Sequence, residues 1–358
     1  MSPPRQRPEP AVRSHASCVL ALVCLLAPLG CEPRHKPAGR GPTTAGTATK
    51  PAPTFLAAVG RSRKADPLAA VEEAAGRARK AFQAAGVPPV AAIFLVGSRG
   101  VSAEQFARIG RRARKVTGVA TFGQGTIGKQ AGPTAMVLVL GGAGLAVKGY
   151  VTAGPIEHDD SEAPARAAKV RALRRACAER GEALARQIPP PTKSGLVLLL
   201  GALADDWHAN FYTALHKQLG PNVPLVGGVG GWGDSVYADG RDLTDAKGKR
   251  TSVGQLAVVI QGDLRVAVQP VTFPNRWDPA AVRGEARQAG KVMLGRLRPA
   301  QPKLLLAFGC GESVSAVTLA NPGVPIFGFP CSGQVGTDAT GRLSVGADRL
   351  VVCAVAGQ

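Results

Sequence analysis

Two cysteines near the C-terminal end stand where a thiol can do chemistry. Cys310 lies in "FGCGES" (308–313) and Cys331 in "FPCSGQ" (329–334). Each follows an apolar run and opens a glycine turn, where the backbone can take φ > 0 and another group can come close. If the two runs are neighbouring strands, both thiols lie at one edge of a sheet. Three roles are open to such a pair. The thiols can be small buried hydrophobes. They can form a disulfide in an oxidising compartment. Or they can line a pocket, with Cys310 as nucleophile and Glu312 as its polar neighbour. No histidine stands beside either cysteine. Cys177 and Cys353 fall on a predicted helix and a terminal apolar strand, and read as core.

Other motifs carry less. Gly123–Lys129 fits G-x-x-x-x-G-K, but Gln130 stands where Ser or Thr should meet magnesium, and Gly132-Pro133 follows instead of a helix. "GGVGGWG" (227–233) opens no helix and is no dinucleotide fingerprint. His208 and His216 stand two helical turns apart with no third ligand placed, "EHDD" (157–160), which holds His158, reads as an exposed loop, and no C-x-x-C pair is present. No metal site and no cofactor are expected.

The elements that must position the cysteines are written three times. The phrases begin with "VAAIFLVGS" (90–98), "GLVLLLGAL" (195–203) and "KLLLAFGCG" (303–311). Each continues with a helix, a glycine-rich strand and turn, and a further strand. Those glycine turns are "VTGVATFGQGTIG", "VPLVGGVGGWGDS" and "VPIFGFPCSGQVG". Continuous apolar strands alternating with helices predict an α/β (α+β) fold, with layered sheets and flanking helices. Asp66, Pro67 and Gly86 sign the first helix, and Asp278-Pro279 opens another. The expected divisions are 1–31 as a leader, 32–64 as a Pro/Gly/Thr-rich linker, 65–272 as an N-terminal module and 273–358 as a C-terminal one.

The leader has Arg5, Arg7 and Arg13 ahead of an apolar run at 18–27, too short to span a bilayer and suited to an export signal. It ends in "LAPLGC", which resembles a bacterial lipobox and implies lipidation of Cys31, although Pro28 departs from the pattern. The expected location is therefore the cell envelope, lipid-anchored to a membrane and facing the periplasm or exterior, with plain secretion as the alternative. The formal net charge is +20. Its basic residues concentrate on two predicted helices and read as solvated faces, with contact to an anionic surface as the alternative. No aromatic-rich basic strand accompanies them, and no nucleic acid is expected as a partner.

In their order the glycine phrases resemble the FIST sensory domain family, as an N-terminal module followed by a C-terminal one. "VPLVGGVGGWGD" (223–234) is similar to the family's P-x-x-G-G-x-x-x-D, and "GVATFGQ" (118–124) to its G-x-x-T-x-G-E. Phe308-Gly309-Cys310 resembles F-S-C, and "GFPCSGQVG" (328–336) resembles G-F-x-x-x-G-E-I-G. Two family glutamates are Gln124 and Gln334 here, and a glutamine cannot act as a general base. The resemblance implies a sensory protein that binds a small polar ligand such as an amino acid. On this reading Gly227, Gly228 and Ser332 supply donors, and Thr121, Gln124, Asp234, Cys310, Glu312, Cys331 and Gln334 line the site. Trp232 covers it. A thiol enzyme using Cys310 and an envelope interaction protein are the alternatives.

Overall fold

The computed structural model describes residues 53–97, 108–109, 118–122, 126–127, 130–131, 134–152, 163–189, 194–201, 209–229, 236–238, 241–242, 255–275, 277–331, 333–347 and 349–357. The leader, Cys31 and most of the linker lie outside them, as do Gln124, Trp232, Asp234 and Ser332.

The first stretch of the body runs β1 (Leu56–Ser62), α1 (Pro67–Ala85), β2 (Pro89–Gly97), β3 (Gly118–Phe122), the short β4 (Thr126–Ile127) and β5 (Gln130–Ala131), and β6 (Ala135–Gly141). The second runs β7 (Ala146–Thr152), α2 (Ala163–Gln187), β8 (Gly195–Gly201), α3 (Ala209–Leu219), β9 (Leu225–Val229), β10 (Val236–Ala238), β11 (Arg241–Asp242) and β12 (Gln255–Gln261). The third runs β13 (Leu264–Thr272), α4 (Pro279–Arg296), β14 (Leu304–Phe308), α5 (Gly311–Ala320), β15 (Ile326–Phe327), β16 (Gly333–Thr337), β17 (Leu343–Gly346) and β18 (Arg349–Gly357).

These three stretches are one fold repeated. Their sheets read β1-β6-β2-β3, β7-β12-β8-β9 and β13-β18-β14-β15. In each, the first strand pairs end to end with the last, as Leu56↔Gly141, Ala146↔Gln261 and Leu264↔Gly357. In each, the middle two strands are parallel. The repeat is thus longer than the sequence phrase, because it also takes in a preceding strand and helix. Local signals set the helices. The Asp66 carboxylate caps α1 by accepting from the Ala69 N–H at 2.7 Å, and Gly86 ends it at φ 65°, where a side chain would be strained.

The repeats interlock by lending hairpins. Strands β10 and β11 of the second extend the first sheet beside β3, and β16 and β17 of the third extend the second sheet beside β9. Strand β4 of the first lies against α5 of the third. Pairing also runs through the expected division at residue 272, since Thr272 at the end of β13 opposes Arg349 of β18. The α+β architecture with layered sheets is as expected. The inner faces of all three sheets share one core that includes Ile93, Leu138, Leu198, Leu256, Leu306 and Phe308. Their outer faces pack separately under α1, under α2 and α3, and under α4 and α5. Sheets covered on both sides explain the unbroken apolar runs.

The contact between the first and third repeats includes one partly desolvated cation. The half-buried Arg61 donates from Nη2 to the Ile326 carbonyl at 2.8 Å, and desolvation holds its guanidinium below its ordinary range. Hydrogen bonds from charged groups contribute about 1.5–3 kcal/mol. Arg61→Ala should lower stability by about that amount in urea titration, with no change of fold by circular dichroism.

A second prediction concerns α3. The His216 ring is hydrogen-bonded to the Gly341 backbone at the β16–β17 turn, and its Nε2 is buried without a partner. Desolvation depresses its pKa, so the folded state prefers the neutral ring. Stability is therefore full above the ordinary histidine value of about 6.5 and falls as pH drops below it toward the folded value. His216→Phe should flatten that acid limb in denaturation measured against pH.

Candidate functional site at the strand ends

The pairings bring three strand ends together. From the end of β9 the chain crosses to β10, whose Val236 opposes Ala120 near the end of β3. From the end of β15 it reaches β16, whose Gly333 opposes Val229 at the end of β9. The C-terminal ends of β3, β9 and β15 therefore share one rim. In open α/β sheets this is the end at which ligands bind.

In the third repeat Phe308 and Phe329 meet edge to face, with centroids 5.5 Å apart. Two residues on in each strand come Cys310 and Cys331. Gly309 and Pro330 bridge in parallel, and the Cys331 N–H donates to the Gly309 carbonyl at 2.9 Å. The two cysteines thus do share an edge. No disulfide joins them. Cys310 is exposed at the N-cap of α5, and its side chain makes no capping bond. Cys331 is half-buried against the shared core. Cys177 and Cys353 are both buried. Burial pushes the Cys177 thiol up to about 11 and raises that of Cys353 as well.

Several expected ligand contacts have other employment. Glu312 stands in the first turn of α5, where a negative charge suits the helix dipole, but its carboxylate faces Arg283 of α4 at 2.9 Å. Gln334 is 2% exposed. Its Nε2 donates to the Cys331 carbonyl at 2.9 Å and approaches Cys331 Sγ at 3.5 Å, while its Oε1 accepts from the Arg349 N–H at 3.1 Å. It fastens the turn to β18.

Gly227 and Gly228 require a correction. They belong to β9, an interior strand with β8 on one side and β16 on the other, so their amides face the ladder and not a guest. A Cβ on Gly227 would run into the Leu199 carbonyl, and one on Gly228 would lie 2.6 Å from Phe308 Cδ1 and 2.9 Å from Cys331 Sγ. These glycines exist for close packing between strands and between sheets. Thr121 lies in β3, opposite Val96 of β2.

The sequence reading missed a polar pair on the same rim. Gln255 opens β12 between Gly201 at the end of β8 and Thr152 at the end of β7. It is 1% exposed. Its Oε1 accepts from the Tyr212 hydroxyl at 3.3 Å, and its Nε2 is buried with no partner. Burial raises the Tyr212 phenol far above its usual range, partly offset by that bond, so it remains protonated as a donor. An unmade buried donor costs about 1–3 kcal/mol. The one clue in the sequence is a glutamine heading the apolar run "QLAVVIQ".

No protein-family model matches the chain, and no curated protein matches it. The resemblance to the FIST family rests on the residues quoted for it above.

Among the described residues no three His, Cys, Asp or Glu side chains gather to hold a metal. Among the described residues two hollows stand out, both at the opposite end of the strands. One, of about 620 Å³, is an open groove beside Leu294 and Arg298–Pro302. The other, of about 80 Å³, is lined by Ile188, Leu196, Leu219, Val223 and Val259 among others. The chemistry available at the rim is hydrogen-bond donation from Gln255 and nucleophilic attack by an exposed thiol.

Proposed function

We propose that the chain is an exported, lipid-anchored binding protein of FIST type that holds a small polar ligand, such as an amino acid, along the shared rim. The observation that carries this reading is Gln255 Nε2. Buried polar groups are almost always paired, and this donor, at the end of the sheet where ligands bind, is not. A carboxylate or carbonyl of the ligand completes it. Thr121 lies in β3, and Gln124, Trp232, Asp234 and Ser332, outside the described residues, follow β3, β9 and β15 in the sequence. Cys310 borders the site. The glycine repeats serve this arrangement indirectly, by letting the sheets approach closely enough to bring their ends together.

The test is titration calorimetry of the full chain carrying Cys31→Ser against a panel of amino acids and small polar metabolites. Saturable one-site binding supports the reading, and a wholly silent panel overturns it. Labelling of the unmodified chain with a fatty acid in cells, abolished by Cys31→Ser, tests the anchor separately.

A further inference from the structure

We propose that Cys310 and Cys331 form a dithiol site for thiol–disulfide exchange with a small-molecule disulfide. The inference does not depend on the ligand reading above. It rests on the juxtaposition of two thiols that the fold holds side by side without joining them.

The geometry comes from the backbone. Gly309 and Pro330 are bridged in parallel, and the bond from the Cys331 N–H to the Gly309 carbonyl keeps the strands paired up to the cysteines. Neighbouring strands lie about 4.8 Å apart, within the Cα separation of roughly 4.4–6.8 Å that a disulfide accepts. Side chains alternate along a strand, and the edge-to-face rings of Phe308 and Phe329 mark the face. By that alternation Cys310 and Cys331 take the next register position beyond the Gly309–Pro330 bridge.

The two thiols differ in the way an exchange reaction needs. Cys310 is exposed, so an incoming disulfide can reach it, while Cys331 is half-buried against the shared core. The Gln334 amide stands 3.5 Å from Cys331 Sγ, held in place by its bonds to the Cys331 carbonyl and the Arg349 N–H. It donates to that sulfur. As a neutral amide it brings no negative charge against a thiolate.

The reaction balances in two steps. The Cys310 thiolate attacks one sulfur of the disulfide, whose S–S bond breaks. One thiolate leaves and takes up a proton, and a mixed disulfide remains on Cys310. The Cys331 thiol loses its proton to solvent and attacks Cys310 Sγ, releasing the second thiolate. The protein pair is oxidised by two electrons, and the small disulfide is reduced to two thiols. Reduction by an excess of the small thiol runs the same steps backward. Cys177 and Cys353 are buried and take no part.

The test treats the full chain with oxidised glutathione and maps every cysteine by peptide mass spectrometry, which also separates Cys18, Cys24 and Cys31 from the site. Wild type should give a Cys310–Cys331 link with little glutathione retained. Cys331→Ser, or Cys331→Ala if the serine variant folds poorly, should trap a glutathione adduct on Cys310. Cys310→Ser should slow modification of Cys331 at least tenfold. A stable adduct on Cys310 in wild type with no link to Cys331 overturns the proposal, and so does a wild-type chain in which neither cysteine reacts.

Discussion

Phe308→Ala should lower stability by about 3–5 kcal/mol, and adding Gly228→Ala should restore part of the loss. The first effect is the removal of a fully buried ring at the meeting of the three sheets, where it also stacks edge to face on Phe329. The second follows from the space around Gly228. A methyl there would lie 2.6 Å from Phe308 Cδ1 and 3.1 Å from Cγ, so Gly228→Ala alone overpacks a ring that has nowhere to go. Overpacking of this kind costs about 1–3 kcal/mol. With Phe308 cut back, the same methyl enters vacated space. Contact with Cys331 Sγ at 2.9 Å keeps the compensation incomplete. The cycle should therefore show a favourable coupling of about 0.5–3 kcal/mol in urea denaturation. Strict additivity would mean that Gly228 is not a packing residue against Phe308.

The second large effect separates stability from binding. Replacing both Tyr212 by Phe and Gln255 by Leu removes the buried pair together with its orphan donor. Removing both partners of a buried hydrogen bond is nearly neutral, and losing an unmade donor stabilises by about 1–3 kcal/mol. The double variant should melt at or above the wild-type temperature. Its affinity for the ligand found by calorimetry should nonetheless fall at least tenfold. Gln255→Leu alone should be less stable than the double variant, because it leaves the Tyr212 hydroxyl buried and unpaired. A double variant that binds normally would remove Gln255 from the site.

What could be read from the chain, and what could not, divides along local and long-range physics. The first helix was legible because Asp66, Pro67 and Gly86 act on their own few residues. So was α4, whose Asp278 carboxylate accepts from the Ala280 and Ala281 N–H groups. The common edge of Cys310 and Cys331 was legible on the condition that their two apolar runs neighbour each other, as β14 and β15 do. The first strand of each repeat was harder to see. Strand β13 reads "LRVAVQPVT", and its Pro270 argues against a central strand, yet β13 is an edge strand where proline is tolerated. The lending of β10 and β16 to neighbouring sheets has no local signature at all, since it depends on which open strand edge lies nearest after folding.

Gly227-Gly228 illustrates the remaining limit. Glycine permits a turn, a ligand or a tight interface equally, and here the choice is made by Leu199 and Phe308, both distant in sequence. The orphan donor of Gln255 is likewise a property of packing. A sequence shows that a glutamine is polar and that its run is apolar, but not which of its atoms goes without a partner.

The proposed ligand site is one rim, built by three repeated strand ends, that holds one guest. Hydrogen exchange measured by mass spectrometry on the full Cys31→Ser chain, with and without the tightest binder from the panel, tests it most directly. The ligand should slow exchange together in peptides covering the ends of β3 and β9, the start of β12 at Gln255, and the segment from Gly309 to Glu312. Protection confined to the groove at Arg298–Pro302, or to a single repeat, would contradict it.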